Sequence, residues 1–198
     1  MVPSPNELAL LIKKDINKIK VGYIPNAQDH RTGDIRSDRV KAIFEYLCSL
    51  GLKVTTIDLR EYSDHKLLKH DLSKFDLIWA CGGNSFNLRY EMKRSGFENI
   101  IRELLEDGIV YGGDSAGAAV VGNTLKGIEI ADQPELAKEI IWNGIGLTDH
   151  FILPHVNSPG IGKIVDQIAD IHKDDKTMIK LNDAQAFIID GESEHIVG

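Results

Sequence analysis

Short apolar segments that alternate with helical segments are the feature that most restricts the fold of this chain. Residues 21–25, 75–81 and 109–113 are short runs dominated by apolar side chains, and residues 52–59 are rich in β-branched ones. The stretches between them have the spacing of amphipathic helices. Strands that are apolar on both faces belong in a parallel sheet with helices on each side. The sequence therefore predicts an α/β fold with a doubly wound, mostly parallel sheet and right-handed crossovers.

Length, charge and cysteine count narrow the class of protein and its partners. The 198 residues are enough for a single domain, residues 1–198, with a sizeable core. A net charge of −7 argues against nucleic acid or an anionic membrane as partner, since both attract basic surfaces. The sequence has no apolar run of roughly 20 residues, no secretory-signal layout at its start, and too few cysteines for a disulfide framework. We expect a cytoplasmic monomer or homodimer.

The stretch "YGGDSAGAAV", residues 111–120, contains the most informative motif. Gly113 to Gly117 match G-x-S-x-G, the nucleophile elbow of many serine hydrolases, in which a strand ends, a serine occupies a tight turn and a helix begins. The apolar run before the motif and the small residues after it supply that context. We predict Ser115 as a nucleophile. A purely structural turn or a phosphate-binding loop is the alternative.

A second glycine turn ends the neighbouring predicted strand. Gly82, Gly83 and Asn84 follow residues 75–81. Ligands of doubly wound sheets bind beyond the carboxyl ends of the strands, so this turn and Ser115 are expected at the same edge. Backbone N–H groups from the two strand ends would then meet the requirement for an oxyanion hole.

Seven histidines are candidates for the base that would take the proton of the serine hydroxyl. His155 stands out because it follows the apolar run "FILP" and opens a loop with glycine and proline, which places it at the end of a strand. His150 precedes the same run, at its opposite end. We predict His155 as the base. No group of cysteine, histidine and carboxylate residues has zinc-site spacing, so we expect no metal.

The acid that would orient the histidine is not fixed by pattern alone. Asp114 adjoins the serine in a tight turn and suits local hydrogen bonding. Asp149 is attached to the wrong end of the histidine-bearing strand. Asp132 lies in a loop between the elbow helix and that strand, which makes it the better candidate.

These motifs resemble those of the dipeptidase E and cyanophycinase group of serine peptidases. The resemblance covers roughly residues 18–198 and rests on "CGGNSFNL", "YGGDSAGA", "ADQP", "ILPHVNS" and "LNDAQAFIIDG", in that order. It implies a fold related to class I glutamine amidotransferases, with serine in place of their cysteine nucleophile. It also implies Ser115 as nucleophile, His155 as base, Asp132 as third member and the N–H groups of Gly83 and Ala116 as the oxyanion hole, without a cofactor.

Two departures from that family affect what is expected of this chain. Family members usually begin with a further strand, whereas residues 1–17 here read as a helix. Dipeptidase E also carries an arginine after the histidine, where this chain offers only Lys163, which cannot form a bidentate clamp. We expect Asn84, Asn157 and Arg89 to contact substrate. The alternatives are turn formation for the two asparagines and an exposed helix surface for the arginine.

The predicted function is a serine exopeptidase that hydrolyses small peptides through an acyl-enzyme. Two alternatives stay open. One is hydrolysis of another amide, such as a β-aspartyl or cyanophycin-like peptide. The other is a catalytically silent relative that binds a small ligand.

Overall fold

The computed structural model describes residues 5–198. A four-stranded parallel sheet lies at the centre of the fold. The strands are β1 (Lys20–Ile24), β2 (Lys53–Thr56), β3 (Leu77–Ala80), β4 (Val110–Gly113), β5 (Phe151–Leu153), β6 (Met178–Lys180), β7 (Ala186–Asp190) and β8 (Ser193–Val197). The helices are α1 (Pro5–Ile12), α2 (Gly33–Ser49), α3 (His65–Leu72), α4 (Ser85–Arg94), α5 (Phe97–Glu106), α6 (Ala116–Ala119) and α7 (Gly162–Ile171). Short 3-10 turns lie between several of these elements.

The central sheet has the strand order β2-β1-β3-β4, and all its strands run parallel. Two smaller sheets complete the chain, a parallel pair of β5 and β6 and an antiparallel hairpin of β7 and β8. Helices connect and flank the parallel strands, with α2 against β2 and α3 against α5. This arrangement confirms the predicted α/β class with a mostly parallel sheet.

The core forms around β1 and β3, the two inner strands. Every residue of β3 is buried, as are four of the five residues of β1, because helices cover both sides of uniformly apolar strands. The α5 helix buries a stripe of four apolar side chains against this core, namely Phe97, Ile100, Ile101 and Leu104. At the sheet edge, β2 is mostly exposed and carries polar residues.

A helix is predicted over residues 1–17, of which residues 1–4 lie outside the described residues, and residues 5–17 differ in detail from that single helix. The α1 helix ends at Ile12, and Lys13 takes a left-handed conformation with φ 55°. A 3-10 turn at Ile16–Lys18 then leads into β1. Lys14 pairs with Asp76 at 2.9 Å, which attaches the segment to the start of β3. Within residues 5–198, no strand precedes β1.

Candidate active site

The turn between β4 and α6 has the geometry of a nucleophile elbow. Ser115 adopts φ 51° and ψ −111°, a conformation that is costly for a residue with a side chain. The chain can turn this tightly because Gly117 lies directly on the neighbouring strand end. A Cβ at Gly117 would lie 2.1 Å from the carbonyl oxygen of Ala80. The sequence pattern thus corresponds to a strained serine at the carboxyl end of the sheet.

His155 meets this serine from the end of β5. Its Nε2 atom lies 2.9 Å from the Oγ atom of Ser115. The histidine follows Pro154 and has a φ of 68°, so the backbone turns sharply after the strand and brings the ring to the elbow. His150, before β5, contacts Glu194 instead at 2.8 Å. The structure therefore brings together the predicted pair Ser115 and His155, and it separates His150 from them.

The other imidazole nitrogen of His155 faces Asp183. Its Nδ1 atom lies 2.6 Å from the Oδ1 atom of Asp183. The hydrogen bond from His155, supported by one from Ser158, lowers the pKa of Asp183, so the carboxylate form is favoured. Asp183 comes shortly after β6, the parallel neighbour of β5, and both strands end at the same edge. The prediction from the sequence missed Asp183. The signal that could have found it is a carboxylate just beyond β6, the strand that pairs with the histidine-bearing strand β5.

Asp132, the acid favoured from the sequence, has a different place. Its Oδ2 atom accepts a hydrogen bond from the backbone N–H of Ser85 at 2.8 Å, at the start of α4. Burial raises the pKa of this carboxyl group against the opposing effect of the bonds from Ser85. The expected contact with His155 is thus corrected, because the loop that carries Asp132 is tied to the N-terminus of α4 and Asp183 occupies the position beside the imidazole.

Asp114, next to the nucleophile, points to the glycine turn after β3. It accepts hydrogen bonds from the indole N–H of Trp79 at 2.9 Å and from the backbone N–H of Gly82 at 3.0 Å. Burial raises its pKa. These contacts give Asp114 a local structural role, in which it links the elbow to the neighbouring strand end.

The predicted oxyanion-hole residues flank the nucleophile. Gly83 has a φ of 145°, and a Cβ there would lie 2.2 Å from the carbonyl oxygen of Ala27, so glycine is required. A Cβ on the preceding Gly82 would lie 2.9 Å from the Cβ of Ser115, which puts the glycine turn directly beside the elbow. Within residues 5–198, the backbone N–H groups of Gly83 and Ala116 donate to no protein acceptor.

The structure gives the surroundings of the three residues that are predicted to contact substrate. Asn84 is buried and caps α4, accepting from the N–H of Asn87, while its amide donates to the carbonyl oxygen of Gln133. Asn157 is exposed and takes a φ of 62°, as a turn-forming asparagine does.

Arg89 is buried rather than exposed on the surface of its helix. It pairs with Glu98 at 2.5 Å and donates from Nε to the carbonyl oxygen of Asn143. These contacts occupy Nη2 and Nε of the guanidinium, while its buried Nη1 has no hydrogen-bond partner within residues 5–198.

A cavity of about 630 Å³ adjoins the three clustered side chains. It runs along β4 and is bordered on its other side by β7, with apolar residues on most of its walls. Ser115, His155 and Asp183 all line it, so the cluster lies at the wall of this cavity.

Comparisons with known proteins identify the family of this chain. Residues 5–197 match the sequence profile of peptidase family S51. The chain belongs to peptidase family S51. An uncharacterised peptidase of Listeria innocua is 32% identical to it over 155 residues, which are 77% of this chain and 73% of that protein. The peptidase E of a Nostoc species is 29% identical over 69% of this chain and 52% of its own length.

A solved structure resembles this S51 peptidase over nearly its whole length. It is a Listeria monocytogenes protein that has the provisional name peptidase E. The two structures compare with a TM-score of 0.82, and their sequences are 25% identical. The match covers 98% of this chain and 92% of that one. Family and relatives together make this protein a peptidase, and hence a hydrolase. Among the helices of residues 5–198, none has the length and apolar character to cross a membrane.

Proposed function

We propose that this S51 peptidase is a serine exopeptidase that cleaves small peptides through an acyl-enzyme. One observation carries the proposal: Ser115, His155 and Asp183 form a continuous hydrogen-bonded series, with 2.9 Å from serine to imidazole and 2.6 Å from imidazole to carboxylate. A serine hydroxyl becomes a useful nucleophile when a base accepts its proton and a third group orients that base. The relatives named peptidase E support the choice of a peptide as substrate.

In the first step, the Oγ atom of Ser115 attacks the scissile carbonyl carbon while Nε2 of His155 takes the hydroxyl proton. Asp183 holds the Nδ1–H of the ring and stabilises the imidazolium that forms. The imidazolium then gives its proton to the leaving amine, and the acyl group stays on Ser115. Water, deprotonated by His155, attacks the acyl-enzyme and releases the second product.

The oxyanion of each tetrahedral intermediate needs fixed hydrogen-bond donors. We assign this role to the backbone N–H groups of Gly83 and Ala116, which border Ser115 and have no protein acceptor within residues 5–198. Donors that are already in place stabilise developing negative charge without a cost of reorganisation at the moment of reaction. Asp183 replaces Asp132 as the proposed third member of the triad. The proposed mechanism uses protein groups and water.

The proposed setting is the cytoplasm, with a small peptide as the partner of the site. The net charge of −7 supports partners other than nucleic acid. The protein acts in this proposal as a monomer or a homodimer.

Labelling with a fluorophosphonate tests the proposal without knowledge of the substrate. The reagent reacts with a serine that a base activates, so we expect wild type to be labelled at Ser115. Ser115→Ala and His155→Ala should lose labelling and peptide hydrolysis. His150→Ala is the matched control, because this histidine flanks the other end of β5 and pairs with Glu194. It should label like wild type. Wild-type labelling at a different serine, or unchanged hydrolysis by Ser115→Ala, would exclude the mechanism.

A further inference from the structure

Gln28 is a buried polar side chain beside the glycine turn of the candidate site. It lies in the 3-10 turn Asn26–Gln28 that follows β1, with 5% of its surface exposed. Its Nε2 atom donates to the carbonyl oxygen of Gly82 at 2.5 Å, and its Oε1 atom accepts from Nε of Arg31 at 3.1 Å. A carbonyl oxygen only accepts, so the Gly82 carbonyl alone requires the NH₂ end of the amide to face it, and the bond from Arg31 to the other end is consistent with this orientation.

The bond to Gly82 controls the orientation of the next backbone N–H. The carbonyl of Gly82 and the N–H of Gly83 belong to one planar trans peptide and point in opposite directions. Holding the oxygen toward Gln28 therefore aims the Gly83 N–H away from the β1 turn. The Cα of Gly82 lies close to Ser115 on the other side, since a Cβ there would be 2.9 Å from the serine Cβ.

The flanking bonds fix the peptides on either side of this one. Asp114 accepts from the N–H of Gly82, and the carbonyl oxygen of Ala27 accepts from the N–H of Asn84 at 2.7 Å. The peptide group between Gly82 and Gly83 has one hydrogen bond within residues 5–198, which the carbonyl oxygen of Gly82 accepts from Gln28. Two successive glycines give this peptide a wide choice of conformations, so its plane needs an external constraint.

We propose that Gln28 is a positioning residue that aims the Gly83 N–H into the oxyanion hole. The inference rests on the proposed function, because an oxyanion forms only when Ser115 attacks a substrate carbonyl. It predicts a specific kinetic signature. Without the Gln28 amide, the hole forms less often in the right orientation, which affects the charged transition state more than the neutral substrate.

Three variants at this position separate the hydrogen bond from side-chain volume. Gln28→Met keeps the length of the side chain and cannot donate. Gln28→Glu presents an acceptor to the Gly82 carbonyl. Gln28→Asn keeps the amide but is one carbon too short, and it serves if the first two variants fold poorly. We expect kcat to fall about 10- to 100-fold in each, below the about 10²- to 10³-fold loss typical of deleting a donor. KM should change less than about threefold. Arg31→Met is the matched control, because it leaves the donor to Gly82 in place.

A transition-state analogue distinguishes positioning from a general structural effect. A peptide trifluoromethyl ketone forms a tetrahedral adduct whose oxyanion occupies the hole. Its affinity should fall in each variant by the same factor as kcat/KM, while the melting temperature stays within a few degrees of wild type. Unchanged kcat in all three variants, or a kcat loss with unchanged analogue affinity, would overturn the inference. The proposed function is tested independently by Ser115→Ala, assayed beside the Gln28 variants. It is wrong if Ser115→Ala still hydrolyses peptides.

Discussion

The Nδ1 atom of His155 lies 2.6 Å from the Oδ1 atom of Asp183, although 28 residues separate the two along the chain. The contact forms because β5 and β6 are parallel neighbours, so the segments that follow them leave the same edge of the sheet. A carboxylate on Nδ1 makes that nitrogen the hydrogen-bond donor and leaves Nε2 as the acceptor for the proton of Ser115. The pairing of two three-residue strands thus selects the tautomer that the proposed chemistry needs.

Asp183→Asn should lower kcat by about 10³- to 10⁴-fold, since an amide can accept or donate and no longer enforces that tautomer. KM should change far less. Asp132→Asn is the matched comparison, because Asp132 bonds to the N–H of Ser85 and not to the imidazole. We expect it to lower kcat less than about tenfold. Steady-state kinetics on one peptide measure both. A larger loss in Asp132→Asn than in Asp183→Asn would restore Asp132 as the third member.

The elements with strong local patterns were predictable from the sequence. Ser115 and His155 each follow an apolar run, and a parallel sheet brings the ends of such runs to one edge, so their proximity followed from the pattern. Asp183 follows β6, which is only three residues long and contains a lysine. That segment carries no recognisable strand period, so its pairing with β5 depends on tertiary packing.

Two predictions from the sequence differ from the structure, and both differences have the same kind of cause. Asp132 lies between 3-10 turns, where no periodicity indicates direction, and a hydrogen bond to the N-terminus of α4 decides its position. The sequence predicts a longer N-terminal helix because its apolar spacing continues beyond Ile12. The left-handed Lys13 ends the helix there. Local propensity sets the elements, while contacts between distant segments decide the boundaries and the loops.

Gly117→Ala should destabilise the protein by more than about 2 kcal/mol, because the new Cβ would overlap backbone atoms that cannot move aside. The carbonyl oxygen of Ala80 would lie 2.1 Å from it. Urea denaturation at neutral pH measures the free energy of unfolding. Gly160→Ala is the control, since a Cβ there meets nothing within 4 Å, and it should change that free energy by less than about 0.5 kcal/mol. Similar unfolding free energies for the two variants would contradict the close approach of α6 to β3.

Asp58 should make stability depend on pH in the acid range. Burial alone would raise the pKa of this carboxyl group, but hydrogen bonds from Arg60 and Asn26 outweigh it and lower the pKa to about 2. The unfolded chain, with an ordinary pKa of about 3.9, therefore binds the proton more tightly. The stabilisation is complete above about pH 5, is about half lost at pH 3, and disappears below pH 2.

The test compares wild type with Asp58→Asn, which cannot titrate. At pH 6.5 the variant should unfold with a free energy lower by about 2 kcal/mol, and the difference should be roughly half as large at pH 3. Denaturant titrations at the two pH values measure it. The control is Lys18→Met, which removes an exposed ion pair with Asp15, and we expect it to have a small effect. A pH-independent difference for Asp58→Asn would show that its carboxylate is not held in the charged form.

Selectivity for acidic residues should be modest. A substrate carboxylate in a partly dry pocket needs a cationic partner, or its desolvation opposes binding. Buried Arg89 pairs with Glu98, and half-buried Arg94 pairs with Glu91 and donates to two backbone carbonyls, so each guanidinium group already has an anionic partner in the protein. We expect kcat/KM for matched dipeptides that begin with Asp, Asn or Leu to differ by less than about a hundredfold. Asn is the stringent comparison because it has the shape of Asp without the charge. A preference for Asp above about a thousandfold, roughly 4 kcal/mol, would require a bidentate cation in the pocket and would contradict this assignment of the arginines.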